Sequence, residues 1–142
     1  MLDVKDEIPK WKERQKLLYS RERSTDPARL SALGQLCLQK GYVQDAFEYF
    51  RGAKSNEGLQ KIKELALDEG DSFLLDSLEK ATQPFSTDVW NQIGYRAFDL
   101  GKYRFARKAF ERTANELMLA KIRATLGEPE PQSGSDDDPQ AA

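Results

Sequence analysis

The sequence predicts an all-α protein built from antiparallel helix hairpins, and three observations lead to that prediction. Apolar residues recur at three- and four-residue spacing through most of the chain, which places them on one face of successive helices. Alternation of apolar and polar residues, the pattern of a half-buried strand, is absent. The breaks between periodic runs are only a few residues long, so neighbouring helices are expected to pack in opposite directions.

Eight helices are expected, and several carry signals for their ends. Asp26 followed by Pro27 is typical of an N-cap and a first helical position, and Ser86 or Thr87 can cap a later helix. Glycines separate three pairs of runs, at Gly41, Gly70 and Gly101. The expected helices lie near residues 9–22, 27–40, 43–54, 57–69, 72–82, 87–100, 103–113 and 115–126.

The composition indicates one folded domain with flanking segments. A chain of 142 residues with 39% hydrophobic residues can bury one core but is too short for two domains of ordinary size. Beyond Gly127 the sequence is rich in Pro, Ser, Gly and Asp, which is typical of a disordered acidic tail. We therefore expect an N-terminal capping helix in 1–26, a helical repeat domain in 27–126 and a tail in 127–142.

The sequence lacks the usual features of membrane, secreted and metal-binding proteins. No run approaches the roughly 18 consecutive apolar residues of a transmembrane segment, and the N-terminus has no apolar signal core. Cys37 is the only cysteine and there is no histidine, so neither an intramolecular disulfide nor the usual zinc ligands are expected. We expect a soluble, cytoplasmic protein without a metal or cofactor.

Charge is unevenly distributed, although the formal net charge is only −2. Basic residues dominate 10–23 and again 91–126, whereas 45–79 is acidic. The first basic segment also contains Trp11 and an apolar pair, Leu17 and Leu18, so two interpretations of its helix stay open. It can cap the open end of a helical array, which we favour, or lie as an amphipathic helix on an anionic membrane.

One pattern of large and small residues occurs twice, 60 positions apart, starting at Leu30 and at Trp90. The matched pairs are Leu30 and Trp90, Leu33 and Ile93, Gly34 and Gly94, Cys37 and Ala97, Gly41 and Gly101, Ala46 and Ala106, and Phe50 and Phe110. A glycine in the first helix and an alanine in the second, such as Gly94 and Ala106, allow two helices to approach closely. The turn glycine, such as Gly101, suits the left-handed conformation at a helix end.

These positions resemble the tetratricopeptide repeat, a two-helix unit of about 34 residues with the pattern W-x2-L-G-x2-Y…A-x3-F. The second copy fits it more closely, at Trp90, Ile93, Gly94, Gly101, Ala106 and Phe110. The middle hairpin departs from the pattern at Lys63 and Leu75, and the expected turn proline is replaced by Gly58 and Met118. Over residues 27–126 the resemblance implies hairpins stacked as a short α-solenoid.

No arrangement of residues indicates catalysis. Asp68, Glu69 and Asp71 surround the turn at Gly70 and are interpreted as solvated acids, because a catalytic pair needs a dry cleft. Cys37 has no histidine to act as its base and takes a core position in the repeat. A glycine-rich phosphate loop is also missing, so we expect no enzyme activity.

The resemblance implies a scaffold or adaptor that binds a protein or peptide segment in a concave groove, lined by the first helix of each pair. The implied groove positions are Ser31, Gln35, Leu38 and Gln39 in the first copy and Asn91, Tyr95, Phe98 and Asp99 in the second. Tyr95 and Phe98 are expected to be exposed anchors, because large rigid rings dominate binding energy when they enter a pocket. The alternative is that both rings pack against the middle hairpin or the last helix.

A basic face suggests nucleic acid as the alternative partner. Its cations are Arg104, Arg107, Lys108 and Arg112. Cations can neutralise phosphates and interleaved aromatic rings can stack on bases, but Tyr103 and Phe110 fall on core positions and leave only Phe105. A solvated face, or a face paired with an acidic neighbour such as the tail, explains the same residues.

Overall fold

The computed structural model describes residues 8–19 and 25–130, and within these ranges the chain is all-α, as predicted. The helices are α1 (Trp11–Tyr19), α2 (Pro27–Gln39), α3 (Val43–Ala53), α4 (Asn56–Glu69), α5 (Ser72–Ala81), α6 (Thr87–Asp99), α7 (Tyr103–Thr113) and α8 (Glu116–Leu126). The predicted first helix extended to residue 22, and its last residues lie outside the described ranges. None of the described helices has the length and apolar character needed to cross a bilayer.

Side-chain caps fix the starts of five helices, including α5, where Asp71 Oδ1 accepts from the backbone N–H of Leu74 at 3.0 Å. The side chain of Asp26 accepts a hydrogen bond from the backbone two residues on, at 3.1 Å, and Pro27 follows it. Ser86, rather than Thr87, caps α6 by accepting from the backbone three residues on, at 3.3 Å. Ser55 and Asn115, which are equivalent in the two copies, cap α4 and α8 at 3.0 and 3.2 Å.

The chain divides into two compact units, each with one copy of the repeated pattern. The N-terminal unit is Met1–Ala66 with Ser77–Gln83, and the C-terminal unit is Leu67–Asp76 with Pro84–Ala142. Helices α1 to α3 belong to the first, α6 to α8 belong to the second, and α4 and α5 contribute to both. The single repeat domain expected over 27–126 therefore contains two compact units, and its outer boundaries stay predictions.

The repeated pattern forms the same hairpin in each unit. Helices α2 and α3 form the first hairpin, and α6 and α7 form the second hairpin. Each helix of the second hairpin begins and ends 60 residues after its counterpart. A Cβ atom placed on Gly34 would lie 2.7 Å from Phe50 Cε1, and one placed on Gly94 would lie 2.7 Å from Phe110 Cε1. Both glycines therefore mark a helix contact too close for any side chain, as the spacing predicts.

The helix ends of the two hairpins also match. The turn glycines Gly41 and Gly101 have φ values of +82° and +76°, the left-handed region that glycine adopts without strain. The second helix of each hairpin ends in a left-handed residue that is not glycine, Lys54 or Ala114, each with φ of 54°. Neither position carries a glycine, so this conformation could not be predicted from the sequence.

Each unit buries the apolar residues of its own copy. In the N-terminal unit Cys37, Phe50 and Ile62 are buried, and in the C-terminal unit Trp90 is only 2% exposed. The cluster under α6 to α8 contains Ala97, Ala106, Phe110, Met118, Leu119 and Ile122. The pattern positions thus form the cores, which leaves the remaining faces of α6 and α7 for other contacts.

The end of α4 lies against α6 within the C-terminal unit. Gly70 has φ of +66°, and a Cβ atom on it would lie 2.7 Å from Ala97 Cα. Two cations bind the last carbonyls of α4: Arg96 Nε donates to Asp68 O and Lys102 Nζ to Glu69 O, both at 2.7 Å. Positive charge at a helix C-terminus is favourable, so these bonds hold α6 in a fixed position against the end of α4.

Candidate functional site

The groove residues implied for the second copy lie on α6 at spacings of three, four and eight residues, which bring side chains to one side of a helix. Tyr95 is 46% exposed, Asp99 is exposed, and Asn91 and Phe98 are half-buried. This side of α6 is therefore open to solvent around Tyr95. The surface bearing these four residues is called the α6 groove face below.

Tyr95 is exposed and yet held in place. Its ring packs edge-on against Phe110, with 5.1 Å between ring centroids, and Asn115 Nδ2 donates a long hydrogen bond of 3.4 Å to its hydroxyl. The same amide donates to Asn91 Oδ1 at 3.4 Å, and Thr113 Oγ1 donates to that oxygen at 2.9 Å. Because Asn115 also caps α8, the groups around Tyr95 are fixed by helix ends rather than by flexible loops.

Phe98 is not the freely exposed ring that the sequence predicted. It is half-buried, packs against the core cluster of the C-terminal unit, and lies edge-on to Tyr103 at 5.3 Å between ring centroids. The turn at Gly101 is short enough to bring the end of α6 beside the start of α7, which explains this contact. Of the two expected anchors, Tyr95 is the more accessible.

The implied groove residues of the first copy lie in the N-terminal unit and have a different chemistry. Gln35 and Gln39 are exposed on α2, and Ser31 and Leu38 are half-buried. Gln35 occupies the position that Tyr95 has in the second copy, so an amide replaces the aromatic ring. The first copy therefore presents hydrogen-bonding groups without a large anchor.

Carboxylates within the chain engage much of the basic face of α7. Arg107 Nη2 is 2.7 Å from Glu128 Oε1, and this hydrogen bond raises the pKa of Arg107 above its usual value. Lys108 and Arg112 share Asp76 on α5, at 3.7 and 3.8 Å. Three of the four cations named from the sequence thus have acidic partners, of which only Glu128 belongs to the acidic C-terminal segment.

The aromatic residues of this face are also engaged. Phe105, the ring left over by the repeat pattern, packs edge-on against Phe73 at 5.2 Å between centroids. Lys108 Nζ and the guanidinium carbon of Arg104 lie 4.9 and 5.6 Å from the centroid of Phe73. Cations thus occupy the vicinity of the Phe73 ring, where a nucleic-acid base would otherwise stack.

The residues considered for chemistry have surroundings typical of packing and solvation. Burial, with a smaller effect of the Asp45 charge, raises the pKa of the Cys37 thiol to about 11, so the thiol stays protonated at neutral pH. Asp68 and Glu69 are exposed, and Asp68 pairs with Arg96 at 3.8 Å. Among the described residues no group of three or more acidic or cysteine side chains is arranged to hold a metal ion.

Comparisons of the chain with family models, with curated proteins and with solved structures found no match. The argument for function therefore depends on the residues of the two copies and their geometry.

Two features of the site had no clear signal in the sequence. Asp76 pairs with both Lys108 and Arg112, and the Phe73 ring contacts Phe105 and two cations of the basic face. Both residues come from the middle hairpin, which departs from the repeat pattern. The contacts of Asp76 with cations more than 30 residues away follow from the fold alone.

Proposed function

We propose that this chain is a protein-interaction module of the tetratricopeptide type, and that the α6 groove face binds a segment of a partner protein. In both copies a helical glycine faces a phenylalanine ring so closely that an added Cβ atom would lie 2.7 Å from it, and this supports the resemblance to that family. We place its action in the cytoplasm, because its one cysteine is free and buried, as is usual in reducing compartments.

The observation that carries this proposal is the state of Tyr95. Large aromatic rings that are already ordered lose little conformational freedom on binding, so they contribute strongly to affinity. Tyr95 is 46% exposed while Phe110 and Asn115 hold its ring and hydroxyl. Beside it, the amide of Asn91 offers hydrogen-bonding groups of the kind that a peptide backbone requires.

Nucleic acid is the weaker alternative. Binding to nucleic acid depends on protein cations that neutralise phosphates and release the counterions condensed on them. Carboxylates in the chain already pair with three such cations, Arg107, Lys108 and Arg112. Arg104 remains exposed, but one such cation gives little affinity at physiological salt.

The proposal is tested by capturing partners from the native cell extract and measuring how variants bind the protein recovered. Tyr95→Ala with Phe98→Ala is expected to weaken binding by about tenfold or more, because the ring that enters the partner is lost. The single variant Tyr95→Ala, which spares the half-buried Phe98, is expected to stay folded with a slightly lower melting temperature, because the contact with Phe110 is lost, and to show most of this loss of binding. Circular dichroism and thermal melts confirm that each variant is folded.

The matched comparison is charge reversal at Arg104 and Arg107 on α7, which should weaken capture less. Unchanged capture by the Tyr95 variants, together with loss in the charge-reversal variant, would place recognition on the basic face and contradict the proposal. If the double variant unfolds while the folded Tyr95→Ala variant binds fully, the two rings belong to the core and do not bind a partner.

A further inference from the structure

Helix α1 packs on the N-terminal unit through one side only. Arg14 forms an ion pair with Asp45 and lies 3.6 Å from Glu48, both on α3. Leu18 Cδ2 would be 2.9 Å from a Cβ atom placed on Gly52, which shows how closely α1 approaches α3. These contacts are what a capping helix requires, and they agree with the interpretation of α1 that the sequence favours.

The side of α1 that begins at Trp11, next to Leu18, and extends to Lys16 is aromatic, basic and exposed. At about 100° per residue, Trp11, Tyr19, Lys12 and Lys16 fall within an arc of about 140°. Trp11 is 64% exposed and Tyr19 is 50% exposed, and both lysines are exposed as well. The one acidic residue of the helix, Glu13, falls outside this arc. The guanidinium carbon of Arg14 lies 5.0 Å from the centroid of the Trp11 ring, so one face of that ring contacts the packed side. Capping gives no reason for the remaining exposure of both rings beside two lysines.

Tryptophan, tyrosine and lysine form the combination that suits the surface of an anionic bilayer. Indole and phenol rings have an apolar body and a polar edge, so they are favoured where hydrocarbon meets water. Lysine side chains extend along apolar surfaces and place their charge among anionic headgroups. No residue of α1 is buried within the chain, so the outer rings are available without any rearrangement of the core.

We propose that the outer face of α1, formed by Trp11, Lys12, Lys16 and Tyr19, binds the surface of an anionic membrane. The helix lies in the plane of the headgroups, with its two rings about 12 Å apart along the axis and the lysines between them. A bilayer is favoured over an acidic protein because two rings with polar edges flank two lysines along one exposed face, which matches both the interface of a bilayer and its anionic headgroups. This surface is separate from the α6 groove face.

The test uses the full chain and phosphatidylcholine vesicles with and without about 30% phosphatidylserine, in co-sedimentation. Binding is expected only with phosphatidylserine and should decrease as salt increases. Two double variants should each lower the partition coefficient by about tenfold or more. One is Lys12→Glu with Lys16→Glu, and the other is Trp11→Ala with Tyr19→Ala. The charge-matched control is Lys40→Glu with Lys121→Glu, two exposed lysines elsewhere, which should bind within about twofold of the parent.

Tryptophan fluorescence gives a second readout of the same event. Trp90 is buried and Trp11 is exposed, so a blue shift on adding anionic vesicles reports Trp11, and the Trp11→Phe variant should lose it. The proposal is overturned by an absence of vesicle binding at low salt, or by equal loss in the Lys40 and Lys121 control. It is also overturned if a single-stranded oligonucleotide or a polyglutamate probe binds through α1 while vesicles do not.

Discussion

Replacing Gly70 with alanine is expected to lower the free energy of unfolding by about 2–5 kcal/mol. Gly70 has φ of +66°, where an L-residue is strained by about 1–2 kcal/mol. The added Cβ would also lie 2.7 Å from Ala97 Cα, a backbone atom that cannot rotate away. The clash is relieved only if the end of α4 separates from α6. Overpacking of this kind adds a further loss of about 1–3 kcal/mol. Urea denaturation measures the difference.

Gly101→Ala is the matched control for this variant. Gly101 has a similar φ of +76°, but nothing lies within 4 Å of the position that its Cβ would occupy. Its expected loss is the backbone strain alone, about 1–2 kcal/mol. Equal losses in the two variants would show that the close approach of Gly70 to α6 contributes nothing, which would contradict the geometry described here.

Replacing Gly94 with leucine is expected to destabilise the hairpin of α6 and α7 by about 1–3 kcal/mol or more. Even the first atom of the new side chain would lie 2.7 Å from Phe110 Cε1, and that ring is fully buried. Phe110 must then leave its place in the core or α7 must move outward. Thermal melts should show a lower midpoint than in the parent.

The control for this variant is Gln92→Leu, which adds the same side chain at an exposed position of α6. It should melt close to the parent, because surface changes away from special contacts have small effects. Gly34→Leu in the other unit should behave like Gly94→Leu, since its Cβ would also lie 2.7 Å from a phenylalanine ring. A Gly94→Leu variant as stable as the parent would remove the basis for the repeat interpretation.

The helices and hairpins were predictable from the sequence because each signal occurs twice. Local features fix them: the cap at Asp26, the turn glycines, and the glycine and phenylalanine that meet across each hairpin. Such features act within about 20 residues of chain, the range over which pattern and propensity are informative. The two copies then agree in structure because they agree in sequence at these positions.

The contacts that depend on the middle hairpin were not predictable. Gly70 was recognised as a break between helices, but its approach to Ala97 depends on how α4 and α6 meet. Phe98 was expected to be exposed because its position on α6 is a groove position, whereas its ring turns toward Tyr103. In both cases the deciding partner lies on another helix and is not specified by local periodicity.

The central claim is that the α6 groove face binds a protein segment. Photo-crosslinking from position 95 is its most direct test. A photoreactive p-benzoylphenylalanine replaces Tyr95 in one protein and Arg104, on the basic face, in another, and both are irradiated in the native extract. We expect a discrete protein adduct from position 95 that excess unlabelled parent competes away, and little adduct from position 104. A competed adduct from position 104 with none from position 95 would contradict the account.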